Sequence, residues 1–170
     1  MNSRRLIIAS LAALLLLAAD RPLADPARSL AGRYYAQFPN GLVTGEKYTG
    51  ENIVEVTPVA PRAAYVRIHL DYFNGHVCGI YGVATSQGEA LVYRDPQPDV
   101  GNGKCVLTLR RAGKSLSIDD AGGSCRAHCG ARGTLSNVTL PYESKRTIRY
   151  LPRLKRSPQY RHAMVEWRAR

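Results

Sequence analysis

The chain has 170 residues, enough for one domain with a hydrophobic core and at most one appendage. Its formal net charge is +11, but residues 145–170 carry nine Lys/Arg against one acidic residue, whereas residues 25–144 are almost neutral. A function that depends on a strongly basic body is therefore excluded, and any role for basicity belongs to the C-terminal segment.

The N-terminal residues have the pattern of a secretory signal peptide. Arg4 and Arg5 precede an apolar run that ends at Ala19. This run is shorter than the roughly 20 apolar residues of a transmembrane helix, and basic residues before a short apolar run are typical of an export signal. We expect residues 1–24 to be that signal, cleaved after Ala19 or Ala24, with an uncleaved membrane anchor as the alternative. The mature protein is then periplasmic or secreted and has no transmembrane span.

Residues 25–140 are predicted to form a β-rich domain. The stretch Ala64–Phe73 alternates apolar and polar residues, and a second apolar stretch follows Asn74-Gly75. Asn-Gly between two such stretches is the strongest short-range signal of a β-hairpin. A two-residue turn would pair Ile68 with Tyr81.

Further strands are predicted between turn signals rich in Gly, Pro, Asn and Ser. They are Arg33–Phe38, Asn52–Val59, Ala90–Tyr93, Cys105–Arg110, Ser115–Ile118 and Thr134–Leu140. About eight short strands at this spacing predict a mainly β fold, either a small antiparallel barrel or a sandwich.

The four cysteines, an even number in an exported chain, indicate a disulfide-stabilised domain. They are Cys78, Cys105, Cys125 and Cys129. Four cysteines allow three pairings, and the spacing does not choose among them. We expect a local bridge, Cys125–Cys129, and a link between strands, Cys78–Cys105.

Residues 141–170 are predicted to be a basic helical segment. Ser144 is the candidate cap of a short helix that Pro152 interrupts, and Ser157-Pro158 is a start signal for a second helix. One face of the second helix is apolar, with Tyr160, Ala163, Met164 and Trp167. We expect this face to pack on the β domain, and binding to an anionic or membrane surface is the alternative.

The basic side chains of this segment are candidate anion-binding residues, because Coulombic attraction draws them to anionic lipid headgroups or wall polymers. They are Lys145, Arg146, Arg149, Arg153, Lys155, Arg156, Arg161 and Arg168. Basic residues interleaved with aromatic ones are also typical of nucleic-acid binding. Export argues against that role, so we expect no nucleic-acid partner.

The sequence has no motif of the serine-hydrolase, zinc-protease or nucleotide-binding type. A cysteine nucleophile beside a histidine is one alternative, but such a thiol is expected to be disulfide-bonded after export. A Cys2His2 metal site from His76, Cys78, His128 and Cys129 is another, although it lacks a Cys-x2-Cys pair. We therefore expect a protein that is not an enzyme and that holds no metal or cofactor.

One stretch, Gly122–Gly133, reads GGSCRAHCGARG and follows Asp119-Asp120, a pair typical of a turn. Its glycines predict unusual backbone angles. We expect a rigid, disulfide-pinned loop and no active site, with Arg126, His128 and Arg132 as candidate recognition residues.

The run Cys105–Gly133, which closes on Cys-x3-Cys-Gly-x-Arg-Gly, and the stretch His76–Ala84 resemble a group of small exported bacterial proteins of largely unknown function. The arrangement also resembles, more loosely, the non-helical domain of the LprI-type lysozyme-inhibitor proteins. This resemblance implies a non-catalytic, disulfide-stabilised β module of the bacterial envelope. The basic C-terminal segment is a departure, since those inhibitors carry a separate cysteine-rich helical domain.

Three functional hypotheses follow. The first is recognition of a protein in the envelope, by inhibition of a cell-wall lytic enzyme or by neutralisation of a toxin in the manner of an immunity protein. The second is an envelope-associated protein that residues 145–170 hold to anionic lipid or wall polymer. The third is an enzyme with a hidden site.

Overall fold

The computed structural model describes residues 24–96 and 105–170. The predicted signal peptide lies, up to residue 23, outside the described residues. None of the helices in the described ranges is long and apolar enough to span a membrane.

The described chain forms eight antiparallel strands in one nearly closed barrel, which confirms the predicted mainly β fold. Each strand pairs with the next one along the chain, in an up-and-down order. The strands are β1 (Gly32–Gly41), β2 (Lys47–Ala60), β3 (Ala63–Asp71), β4 (Val77–Gln87), β5 (Ala90–Arg94), β6 (Val106–Ala112), β7 (Ser115–Asp119) and β8 (Val138–Pro141).

The edges of the sheet are β1 and β8, and the chain just after β8 closes the gap between them. Arg33 and Arg146 exchange two backbone hydrogen bonds, of 2.8 and 2.9 Å. The Tyr35 N–H donates to the Ser144 hydroxyl at 3.1 Å. The C-terminal segment therefore begins as part of the barrel wall.

Apolar side chains fill the interior of the barrel. The largest fully buried ones include Tyr34, Ile68, Leu70, Leu91, Leu107, Leu109, Leu116 and Ile118. An eight-stranded barrel is just wide enough for such a filling. The surfaces that could bind a partner are therefore on the outside of the barrel.

A one-turn helix, α1 (Pro26–Ser29), covers one end of the barrel, where Ala27 and Leu30 join the core. Asp25 holds α1 in place: it accepts from the Ala27 N–H at 3.0 Å and from the Ser86 hydroxyl at 2.5 Å. The bond from Ser86 is the main reason that the pKa of the Asp25 carboxyl is lowered.

The β3–β4 hairpin turns at Asn74 and Gly75, whose φ angles are positive, at 64° and 67°. The predicted register is nevertheless wrong by one residue, since Ile68 pairs with Ile80 and not with Tyr81. The turn includes Phe73 as a third residue, and the Tyr72 N–H donates to the His76 carbonyl at 2.7 Å. A shift of one residue exchanges the two faces of a strand, so Ile80 is buried and Tyr81 is exposed.

Two other sequence-based boundaries are corrected. Within the predicted strand Thr134–Leu140, β8 begins only at Val138, because Asn137 has φ of 56° and cannot continue an extended strand. The predicted helix capped by Ser144 is wrong as well. The Ser144 hydroxyl instead donates to the Pro141 carbonyl at 2.6 Å.

Two helices follow on the outside of the barrel, α2 (Leu151–Lys155) and α3 (Pro158–Arg168). Pro152 lies in the first turn of α2, where the missing N–H needs no partner, so it does not end a helix as predicted. The predicted start of α3 is confirmed, since the Ser157 hydroxyl accepts from the Tyr160 N–H at 3.2 Å.

Candidate functional site

Residues 120–137, here called the clasp loop, connect β7 to β8 at the end of the barrel opposite α1. Two disulfides tie the loop to the start of β4 and to the residue before β6. They are Cys78–Cys129 and Cys105–Cys125. The predicted pairs, Cys125–Cys129 and Cys78–Cys105, are wrong.

The pairing follows from a 3-10 turn, Arg126–His128, that separates Cys125 from Cys129. Cys129 forms an isolated β-bridge with Cys78, with the Cα atoms 4.0 Å apart. Cys125 lies beside Cys105, at a Cα distance of 4.4 Å. Each cysteine of the loop is therefore bonded to a cysteine at a strand end and not to the other cysteine of the loop.

All four cysteines of the chain are in these two bridges. The alternative metal site needs the thiolates of Cys78 and Cys129, which are bonded to each other. His128 also lies near Asp95 and Cys105 in an arrangement with metal-ligand spacing, but the Cys105 sulfur is bonded to Cys125. In this oxidised state none of the four cysteines is a free thiol that could act as a nucleophile or as a thiolate ligand.

Asp120 is the buried polar anchor of the clasp loop, with 1% of its surface exposed. Its carboxylate accepts from the Gly123 and Cys125 N–H groups, at 3.1 and 3.2 Å, and from the Ser136 hydroxyl at 2.5 Å. A buried carboxylate needs such donors to offset its desolvation. Asp120 therefore joins the two ends of the loop, a role beyond the predicted turn.

Arg126, one of the three predicted recognition residues, is a second anchor. Its guanidinium donates to the carbonyl groups of Gly130, Ala131 and Gly133, at 2.6 to 2.8 Å. Most of its donors are thus used within the loop. The structure assigns Arg126 to holding the loop conformation, although the side chain lies at the surface.

The other two predicted recognition residues, His128 and Arg132, contact different parts of the protein. The His128 Nε2 atom lies 2.9 Å from the Asp95 carboxylate, at a cleft of about 220 Å³ that Tyr93 and Glu166 also line. The Arg132 guanidinium is exposed and lies 5.4 Å from the centre of the Phe73 ring. Arg132 is therefore exposed beside an aromatic ring, whereas the guanidinium of Arg126 is used within the loop.

Two kinds of glycine shape the loop. Gly122 and Gly123 have positive φ angles, 77° and 90°, as predicted. The prediction is wrong for Gly130 and Gly133, which have no such angle. A Cβ atom at Gly133 would lie 2.6 Å from the Cys78 sulfur. Gly133 is needed for close approach to the disulfide, which the sequence did not indicate.

An apolar surface beside the clasp loop was missed by sequence reasoning. Val43 in the β1–β2 turn is 67% exposed and Phe73 in the β3–β4 turn is 45% exposed. The Val43 N–H donates to the Asn74 side chain at 3.2 Å, and a cleft of about 780 Å³ lies between the two turns. These turns are far apart in sequence, so no local pattern signals that they meet.

The predicted anion-binding residues lie along a segment that is docked on the barrel. Lys145 is partly buried and donates to the Ser29 carbonyl at 2.9 Å. Arg146 donates to the Glu143 and Lys145 carbonyls, at 2.6 and 2.9 Å. The remaining side chains, Arg149, Arg153, Lys155, Arg156, Arg161 and Arg168, are exposed.

A second apolar cluster attaches this segment to the outer face of the barrel. Ile148, Leu154 and Ala163 are buried against Tyr65 of β3, and the Tyr160 ring packs on Tyr65 with centroids 4.8 Å apart. The predicted packing of the apolar face of α3 is thereby confirmed for Tyr160 and Ala163, whereas Met164 and Trp167 are half-buried and lie outside this cluster. Burial raises the pKa of the Tyr65 phenol well above its ordinary value.

A buried ion pair lies beside this cluster. Glu55 of β2 has no exposed surface, and it accepts from the Arg67 Nε atom at 2.5 Å and from the Tyr150 hydroxyl. Burial works against the charge of Arg67, but the hydrogen bond and charge of Glu55 outweigh it and raise the pKa of Arg67. Nothing in the sequence pattern indicated that these three side chains meet.

The geometry therefore offers two surfaces for binding: the clasp loop with its apolar neighbours, and the cationic outer face formed by the C-terminal segment. The resemblance to lysozyme-inhibitor proteins stays a prediction. Comparisons of the chain with protein-family models, with curated proteins and with solved structures give no significant match.

Proposed function

We propose that this protein is an exported, non-catalytic binding protein of the bacterial envelope that inhibits a cell-wall lytic enzyme through its clasp loop. The observation that carries the proposal is the number of bonds that hold this loop. Two disulfides, three hydrogen bonds to Asp120 and three from Arg126 act on fewer than twenty residues.

Rigidity supports a role in recognition because a loop that is already ordered loses little conformational entropy on binding. The clasp loop also lies next to exposed apolar side chains. Val43 and Phe73 provide an apolar surface, and the exposed Arg132 lies against Phe73. Apolar side chains with an arginine beside them are the composition of many protein–protein interfaces.

The test is inhibition of purified lysozyme and other muramidases by the mature chain at low salt. We expect stoichiometric inhibition of at least one of them. Replacement of Arg132 by Ala is expected to weaken inhibition by about tenfold or more, as for an interface hot spot. Arg110→Ala is the matched control, since Arg110 is an exposed arginine on β6, outside the clasp loop.

Full activity of every muramidase at excess protein would contradict the inhibitor function. An immunity-type role would then be examined with envelope-targeting toxins and the same two variants. Equal effects of Arg132→Ala and Arg110→Ala would show that inhibition does not depend on the clasp loop.

A second candidate function is attachment to anionic lipid or wall polymer. It is favoured by the eight exposed basic side chains of the C-terminal segment, a segment that the second apolar cluster attaches to the barrel. Because Leu154 and Ala163 are buried, deletion of the segment would also uncover the barrel. A triple variant, Arg149→Gln, Arg156→Gln and Arg168→Gln, removes charge and leaves the packing in place.

We expect this variant to be lost from the envelope fraction, and about 0.5 M salt to release the native chain, because such salt screens charges beyond a few ångströms. Unchanged fractionation of both would argue against attachment by charge.

A further inference from the structure

Two clefts lined by Arg67 lie between the outer face of the barrel and the C-terminal helices. The first, of about 390 Å³, is lined by Arg67, Tyr150, Arg153, Leu154 and Ser157 and is here called the arginine cleft. The second, of about 430 Å³, lies between Arg67 and the side chains of His69, Tyr81 and Gln159. Arg67 is the residue that the two linings share.

The side chain of Arg67 is held in a fixed position by Glu55. Its Nε atom donates to the fully buried Glu55 at 2.5 Å, while 35% of its side chain stays exposed. Within residues 24–96 and 105–170 this is the hydrogen bond that Arg67 makes, so its two terminal nitrogens keep their donors for another partner. The Tyr150 hydroxyl bonds the other oxygen of Glu55 and fixes the carboxylate from the opposite side.

The arginine cleft carries an excess of positive charge. Glu55 balances the charge of Arg67, and Arg153 adds a second cation that forms no ion pair in the described part of the chain. The Ser157 hydroxyl accepts from the Tyr160 N–H and keeps its own proton for donation. No carboxylate other than Glu55 lies behind or beside these donors in the described lining.

We propose that the arginine cleft binds a phosphate group, as a monoester or diester, between the terminal nitrogens of Arg67 and the guanidinium of Arg153. A planar guanidinium matches two phosphate oxygens, and its hydrogen bonds to them are charge-assisted. The cleft is larger than one phosphate requires, so it also accommodates the attached glycerol or sugar. This site shares no residue with the clasp loop, so it goes beyond the inhibitor function. With a lipid headgroup as its ligand, it rests on the second candidate function and specifies where on the C-terminal segment the headgroup binds.

The experiment is calorimetric titration of the mature chain with glycerol 3-phosphate at low ionic strength, and glycerol serves as the uncharged probe. We expect saturable binding of one glycerol 3-phosphate and no binding of glycerol. Arg153→Gln is expected to weaken binding about tenfold or more, the scale of a charge-assisted hydrogen bond. The matched control is Arg156→Gln, an exposed neighbour that does not line the cleft, with a change below about twofold.

A second variant tests the part played by Arg67 without leaving Glu55 unpaired. Arg67→Lys keeps a cation beside the buried carboxylate but removes the planar pair of terminal nitrogens. We expect weaker binding of glycerol 3-phosphate by roughly fivefold or more with a retained thermal transition. Absence of saturable binding, or equal losses in Arg153→Gln and Arg156→Gln, would overturn the proposal.

Vesicles that contain phosphatidylglycerol distinguish the two sources of the phosphate. If a lipid headgroup occupies the cleft, Arg153→Gln loses more vesicle binding than Arg156→Gln. If both lose equally while glycerol 3-phosphate still discriminates between them, the cleft takes a soluble phosphate ester. Neither result depends on inhibition of a muramidase, so failure of the inhibitor function leaves this test intact.

Discussion

The clasp loop and the C-terminal segment are both additions to the same barrel, but they are attached by different forces. Disulfides and hydrogen bonds to Asp120 and from Arg126 hold the clasp loop, and one large apolar side chain of the loop, Leu135, is buried in the barrel core. Apolar packing around Leu154 holds the C-terminal segment, with one buried ion pair beside it. The first attachment is covalent, whereas the second depends on the burial of apolar side chains.

Removal of the disulfide Cys78–Cys129 is expected to have the largest effect on stability. The bridge closes a span of 51 residues, and the chain-entropy estimate for such a span is about 4 kcal/mol. The bridge Cys105–Cys125 spans 20 residues, for which the estimate is about 3 kcal/mol. Denaturant unfolding of the two double alanine variants measures the difference.

The order of the two losses is the informative result. If the Cys105–Cys125 pair proved the more important, the clasp loop would be stabilised mainly through its first half, near Asp120. If neither removal changed the unfolding free energy, the hydrogen bonds of Asp120 and Arg126 would be sufficient to hold the loop.

Replacement of Leu154 by Ala, which leaves a cavity under the C-terminal segment, is expected to have the next largest effect on stability. Leu154 is 2% exposed, and replacement of a buried leucine by alanine costs about 2–5 kcal/mol. Hydrogen exchange should show faster exchange in α2 and α3 and unchanged protection in the clasp loop. Val165→Ala, at an exposed position of α3, is the control and should stay within about 0.5 kcal/mol. Loss of protection in both regions would mean that the two attachments are coupled.

Alkaline pH is expected to have the smallest effect on stability, and this effect is confined to the docking of the C-terminal segment. Burial raises the pKa of the Tyr65 phenol above its ordinary value of about 10. The neutral phenol therefore favours the docked state below pH 10, and this stabilisation is lost as the pH rises further. At half a pH unit above 10 the loss amounts to about 0.8 kcal/mol.

Tyr65→Phe is the matched variant for this prediction, because the buried Tyr65 hydroxyl has no hydrogen-bond partner in the described chain. The variant keeps the ring packed on Tyr160 and removes the ionisable group. Exchange rates in α3 should rise above pH 10 in the native chain and rise less in the variant. Equal rises would assign the alkaline sensitivity to other groups, such as Tyr150, whose pKa burial and the bond to Glu55 also raise.

Strands, turns and helix starts were predicted correctly where the signal lies in a few neighbouring residues. Alternation along Ala64–Phe73 placed β3, the Asn74-Gly75 pair placed a turn with positive φ angles, and Ser157-Pro158 placed the start of α3. Such signals depend on a few neighbouring residues, and the final structure does not change them.

Sequence reasoning failed where distant residues had to be brought together. A turn of three residues in place of two changed the face on which Tyr81 lies. The disulfide pairing depended on which strand ends lie beside Cys125 and Cys129. Alternation placed Tyr65 outside the barrel, but only the docked helices show that this outer side chain is buried.

The sequence by itself therefore determined a disulfide-stabilised, mainly β domain of short strands with a basic amphipathic helix after it, because spacing and turn chemistry act over a few residues. Only the tertiary structure decided which cysteines pair, that Arg126 is used within its own loop, and that Arg67 and Arg153 share a cleft. Those results depend on contacts between residues far apart in the chain, which the closure of the barrel brings together.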